Sequence, residues 1–286
     1  MSGRFFSQEF GRNIRRSPLS HLGSLVMSTL LFVLFNLFWV GSRMVDNHFT
    51  ELFGQLHMET FVNESVNDDV FQKYISESQQ IAGVTRVQVI TKKLARERLT
   101  DQLGRDFLGE NETNPLPRSI VLSFEKGFPN SLSLDSLAQA FTRWPGVIQI
   151  SYSRVWLQNT EEQLAKVEQA LQVVMTAVLG GAMLNAALLA GLIVRSKTRD
   201  IRQMRLLGAG GIFLGGPHVA EGALLSGFSA ALSWGIILAA QRHFQIAEVS
   251  AALPPYEQMA YVTLAAVTVG VFGSALSVRL AIRKAR

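Results

Sequence analysis

Leu22–Val40, LGSLVMSTLLFVLFNLFWV, carries no charged residue, and the uncharged run around it extends from Arg16 to Arg43. A membrane span takes about 20 apolar residues to cross a hydrocarbon core of about 30 Å. This run is long enough, and it exceeds the apolar core of a secretory signal. No A-x-A-like cleavage site follows it, so it predicts an uncleaved anchor. Three further uncharged runs lie between Glu168 and Arg195, Glu221 and Arg242, and Glu257 and Arg279. Over the chain, 17% of residues are charged, against roughly 25% in soluble domains. Four membrane spans follow.

Basic residues orient those spans, because Lys and Arg are retained on the cytoplasmic side. Arg4, Arg12, Arg15 and Arg16 precede the first run, five basic residues fill 195–216, and Arg279, Arg283, Lys284 and Arg286 close the chain. In 43–168, acidic residues outnumber basic ones by 17 to 13. Both termini are expected in the cytoplasm and 43–168 outside. The net charge of +5 is then an orientation signal facing lipid, and it argues for no nucleic-acid partner. The chain has no cysteine, which excludes disulfides and thiolate metal sites.

Working outward, Phe6, Phe10 and Ile14 recur four apart among arginines, which predicts an amphipathic helix on the inner membrane surface. Beyond the first span the helical pattern continues through Val45, Phe49, Leu52, Phe53 and Leu56. Leu157, Leu164, Val167 and Leu171 do the same ahead of the second. These extensions read as a helical stalk. Between them short strands and helices alternate: strands at 57–63, 84–90, 119–124 and 147–153, and helices at 68–81, 91–103 and 133–143. In the 68–81 helix Val70, Phe71, Tyr74, Ile75 and Ile81 are expected inward, and Ser133 is expected to cap the 133–143 helix. The order β-α-β, inserted helix and loop, β-α-β predicts a ferredoxin-like split βαβ domain. The first span, rich in Leu and Phe, is expected to face lipid broadly. The small residues of the other three allow close helix packing.

The expected division is a cytoplasmic amphipathic helix over 1–18, spans at 20–42, 169–194, 217–241 and 258–278, and a stalk with its α+β domain over 43–168. A cytoplasmic coupling loop at 195–216, a short exterior loop at 242–257 and a tail at 279–286 complete it. The fold class is an α-helical membrane protein with four transmembrane helices plus an exterior α+β domain on a stalk.

No catalytic constellation emerges. There is no Gly-Lys pair and hence no phosphate loop, no H-E-x-x-H and no G-x-S-x-G, so neither catalytic nor metal-binding residues are assigned. Glu221 lies near the cytoplasmic end of the third span, one turn after Pro217. A structural ion pair or a helix-start carboxylate explains it better than a transport site. The loop Arg195–Gly211 holds Arg199, Asp200, Ile201, Met204 and Leu207 in a short amphipathic pattern closed by Gly208. Its basic charge sets topology, but its apolar face requires a further reason.

K-x-x-D-I-x-x-M-R-L-L-G-A over 197–209, followed by Pro217 and Glu221-Gly222, resembles the R-x-x-E-I-x-x-M-x-L-x-G-A…P-x-x-x-E-G pattern of FtsX-like permease subunits, with Lys197 in place of the Arg. Asn13-Ile14 and Asn114-Pro115-Leu116-Pro117-Arg118-Ser119 are also similar, and Asn-Pro-Leu-Pro with the small exterior domain favours the cell-division branch of that family. Asp200 departs from the usual Glu, and His218 from a common Phe. The resemblance implies a homodimer bound to a cytoplasmic FtsE-like ATPase, with ATP and Mg held by that partner and no cofactor in this chain. It implies a role at the division site of the bacterial inner membrane, where the exterior domain activates peptidoglycan hydrolases directly or through an EnvC-like activator. Arg199, Asp200, Ile201, Met204 and Leu207 would contact the ATPase, Gly208 and Ala209 would close the coupling helix, and Glu221 would support it. Leu99, Leu103, Phe107 and Leu108 of the inserted segment are the expected exterior partner-binding residues. A lipoprotein or export permease of the same superfamily, or an anchored scaffold without energy coupling, are the alternatives.

Overall fold

The computed structural model describes residues 11, 12, 15, 17–103, 116–208 and 210–284. In chain order these form α1 (Pro18–Phe53), β1 (His57–Val62), α2 (Asp68–Gln79), β2 (Val84–Ile90), α3 (Lys92–Leu103), β3 (Arg118–Phe124) and α4 (Ser131–Thr142). Then come β4 (Val147–Ser151), α5 (Arg154–Ser196), α6 (Thr198–Leu206), α7 (Gly211–Phe244), α8 (Ala247–Ala252) and α9 (Tyr256–Lys284). The chain divides into two compact units, Val45–Val167 and the remainder. Phe6, Phe10 and Ile14 of the expected N-terminal helix lie outside the described residues.

In the Val45–Val167 unit the strands make one sheet in the order β2-β3-β1-β4, with every neighbouring pair antiparallel. This is the split βαβ arrangement that the element order predicts. Period-two alternation sends Met58 and Val62 of β1, and Ile120, Leu122 and Phe124 of β3, to one face, where they pack with Phe71 and Tyr74 of α2 and Leu134 and Phe141 of α4. Val70, expected inward, is exposed, and Ser78 takes a buried place on α2 instead. Trp144 stacks on both Tyr74 and Phe141, with ring centroids 4.4 and 4.3 Å apart.

The loops carry their own ties. Arg118 lies 4.1 Å over the Phe71 ring, pairs with Asp68 at 2.7 Å and donates to the Val66 carbonyl, so the start of β3 is fastened to the loop before α2. α4 is capped by Asn130, not Ser133. Asn130 accepts from the Ser133 backbone N–H while the Ser133 hydroxyl accepts from the Asn130 N–H, a reciprocal box. The Tyr152 hydroxyl donates to Asp135, which also pairs with Arg154 at 2.7 Å. Burial and this acidic partner push the Tyr152 phenol up to about 12.

In the other unit, α1, α5, α7 and α9 are each long and apolar enough to cross a membrane. α7 and α9 meet through glycines: a Cβ on Gly270 would strike the Gly222 carbonyl and Ser226, and one on Gly222 would strike Ser274. α9 also meets α5 closely, since a Cβ on Gly273 would collide with the Met183 carbonyl. Such contacts bring backbones together where lipid offers no hydrophobic drive. α7 begins at Gly211 and contains Pro217, so Glu221 lies well inside it and not at a helix start. The segment between α7 and α9, expected as a plain loop, contains the short helix α8, whose Ala252 carbonyl accepts from Arg43 Nε at 3.0 Å.

Candidate functional site

α6 is a nine-residue helix set between the second and third spanning helices. Its sequence explains both ends: Lys197 N–H bonds to the Val194 carbonyl as α5 finishes, and Gly208 takes a left-handed φ of 87° that other residues rarely adopt. Met204 is half-buried against Ala190 and Val194 of α5, Leu214 of α7 and Val278 of α9. Among the described side chains of α6, it is the one packed against this cluster of spanning-helix residues. Leu206 and Leu207 point the other way, 84% and 88% exposed. Arg199 and Arg202 are exposed beside them, and the side chains of Asp200 and Ile201, with Ala209, lie outside the described residues. Among the described residues, the apolar side chains of this segment divide into a packed one, Met204, and an exposed pair. Sequence periodicity grouped Met204 with Leu207 on one outward face and passed over Leu206.

Glu221 is 2% exposed, and its carboxylate contacts His21 Nε2 of α1, with His218 Nδ1 3.8 Å away. His21 Nδ1 lies 2.8 Å from the Ser17 carbonyl, which can only accept, so Nδ1 carries hydrogen. Nε2 then donates to an ionised Glu221 or accepts from a protonated one. Both arrangements leave the pair with no net charge, which answers the high cost of an unpaired ion in this setting. Sequence reading looked for the partner of Glu221 among the loop arginines. The structure supplies a histidine 200 residues away.

His21 begins a row that the Leu- and Phe-rich character of α1 conceals. His21, Ser24, Ser28, Thr29, Phe32, Asn36 and Val40 are the buried residues of α1. Asn185 of α5 donates to Ser28 Oγ at 2.8 Å and approaches Ser24 Oγ at 3.2 Å, and Asn36 donates to Ser233 Oγ of α7 at 2.8 Å. α1 thus faces lipid on one side only, with Leu19, Leu22, Leu30 and Leu37 outward. The signal was present at helical spacing, His21, Ser24, Ser28 and Asn36, as polar residues within an apolar run.

Of the expected exterior contacts, Leu99 is half-buried on α3; the side chain of Leu103, and Phe107 and Leu108, lie outside the described residues. Among the described residues no group of His, Cys, Asp and Glu could hold a metal ion.

Fold and site together define a helical membrane protein with four spans, an exterior α+β domain between the first two and a short helix between the second and third. The FtsX extracellular domain family matches residues 55–172. The cell division protein FtsX of Flavobacterium johnsoniae is 24% identical over 234 residues, covering 79% of this chain and 78% of the relative. That of Bacillus subtilis is 20% identical, covering 98% of each. The chain is thus similar to FtsX cell-division proteins over most of its length, and its exterior domain to their extracellular domain, which supports a membrane component of the cell-division machinery. Among solved structures, the crystal structure of extracellular domain 1 of Streptococcus pneumoniae FtsX with undecyl-maltoside shares 16% identity with a TM-score of 0.28. It aligns with 34% of this chain and 92% of its own. The solution structure of the large extracellular loop of the same organism's FtsX shares 14% with a TM-score of 0.29, over 34% and 98%.

Proposed function

We propose that this chain couples ATP hydrolysis by a cytoplasmic FtsE-like ATPase to activation of peptidoglycan hydrolases, directly or through an EnvC-like activator, on the other side of the bacterial inner membrane. The chain acts as a homodimer at the division site, with both termini cytoplasmic. It has no catalytic activity or cofactor of its own, and ATP and Mg are held by the ATPase. One observation carries this reading: Met204 packs against a cluster built from α5, α7 and α9, while Leu206, Leu207, Arg199 and Arg202 are exposed. A helix with two exposed leucines among arginines is suited to dock in an apolar cleft with an acidic rim. A docked partner would push, through Met204, on α5, α7 and α9 together. The exterior partner is assigned to the inserted segment with Leu99, Leu103, Phe107 and Leu108.

The test is co-purification of the full chain with the ATPase. Leu206→Asp with Leu207→Asp places two carboxylates on the docking face without touching the Met204 seat, and should lose the ATPase while the chain still inserts. Undiminished recovery would overturn the docking assignment.

A further inference from the structure

Two kinds of seam hold the spanning helices, one of backbone against backbone and one of side-chain hydrogen bonds. α9 is fixed in register because backbone meets backbone: a one-turn displacement would bring Ala266 or Ser274 to the place of Gly270, against the Gly222 carbonyl. α1 has no comparable lock at its polar row. The Asn185 amide is already shared between Ser24 and Ser28, one helical turn apart on α1. On α7, Ser229 and Ser233, again about one turn apart, reach the Leu25 carbonyl and Asn36. Buried Thr29 Oγ1 and Asn36 Oδ1 have no partner in the present register, so each can accept a bond in another.

We infer that α1 slides by one helical turn, about 5.4 Å, along the α5–α7 surface, with the His21–Glu221 pair holding the resting register. Exchange of side-chain hydrogen bonds between successive hydroxyls gives two packed states and no continuous drift, as in one-turn ratchets between helices. The inference deepens the proposed coupling function and rests on it only for its purpose: α1 is unbroken from Pro18 to Phe53, so a displacement at Ser28 is carried along the same helix.

The chain has no cysteine, so disulfide trapping in membranes reads the register directly. With Asn185→Cys, partners Ser24→Cys and Ser28→Cys should cross-link rapidly. Phe32→Cys, which in the resting state packs beside Ala182, or His21→Cys should cross-link more slowly but to completion. Leu30→Cys, on the lipid side, should not. Resting pairs that form fully while both the Phe32→Cys and His21→Cys pairs remain uncrosslinked would overturn the slide. This measurement does not involve the ATPase, so it stands apart from failure of the coupling function. In cells, oxidation of the Ser28→Cys/Asn185→Cys chain should abolish division and leave ATPase recovery unchanged, with reductant restoring division. Division that persists in the fully oxidised chain would show that no slide is needed, and would also overturn the proposal.

Discussion

At Glu221, the hydrogen-bond pattern of His21 predicts how each substitution behaves. Because the Ser17 carbonyl claims the Nδ1 hydrogen, a neutral His21 offers Nε2 as an acceptor. Glu221→Gln can donate its amide N–H to that nitrogen, so the pair survives without charge. Glu221→Ala leaves His21 buried with no group opposite, and truncating one member of a buried pair costs about 3–5 kcal/mol. The expected order of thermal stability in detergent is therefore wild type near Glu221→Gln, with Glu221→Ala far below. Equal losses for both variants would mean that the charge itself is required. This pair was half legible in the sequence. A lone carboxylate near a span signals itself by composition, but its partner is fixed by how α1 crosses α7, and nothing local to His21 encodes that.

Among the elements, the helix seams make a sharper prediction from glycines that look alike in the sequence. A Cβ at Gly270 meets the Gly222 backbone oxygen, whereas one at Gly235 meets nothing within 4 Å. Gly270→Ala should force α7 and α9 apart and lower stability in detergent by a few kcal/mol. Gly235→Ala should be neutral or stabilise by up to about 1 kcal/mol through helix propensity. Denaturant titration of the two variants separates them. Most elements could be read directly: β2 falls at the predicted 84–90, and the strand order follows from element order, because period-two alternation and glycine punctuation are local signals. The misreadings share a cause. Serine preference predicts Ser133 as the cap, but Asn130 competes for the same backbone hydrogens and Ser133 answers it from the third position. Average hydropathy hides the polar row of α1, because it carries no information about faces. Met204 and Leu207 were grouped because periodicity assigns a face without saying what lies on it.

For the whole molecule, the two units have separate means of cohesion. The aromatic and aliphatic core around Met58, Ile120 and Phe141 comes from the Val45–Val167 unit alone. The glycine seams and the polar row of α1 belong to the other. Ser28 and Asn185 are hydrogen-bonded, and Met44 lies 16 residues beyond Ser28 while Glu168 lies 17 before Asn185. At 1.5 Å per residue each is roughly 25 Å along its helix, so in this antiparallel pair the two cut points lie at about the same height. Replacing 45–167 by a short Gly/Ser linker should therefore leave the spanning unit folded. The shortened chain should insert, form the Ser28→Cys/Asn185→Cys cross-link and recover the ATPase as the full chain does, yet support no division. Loss of the cross-link would show that the spanning unit depends on the exterior domain to fold. Retained division would place the output of the ATPase somewhere other than that domain.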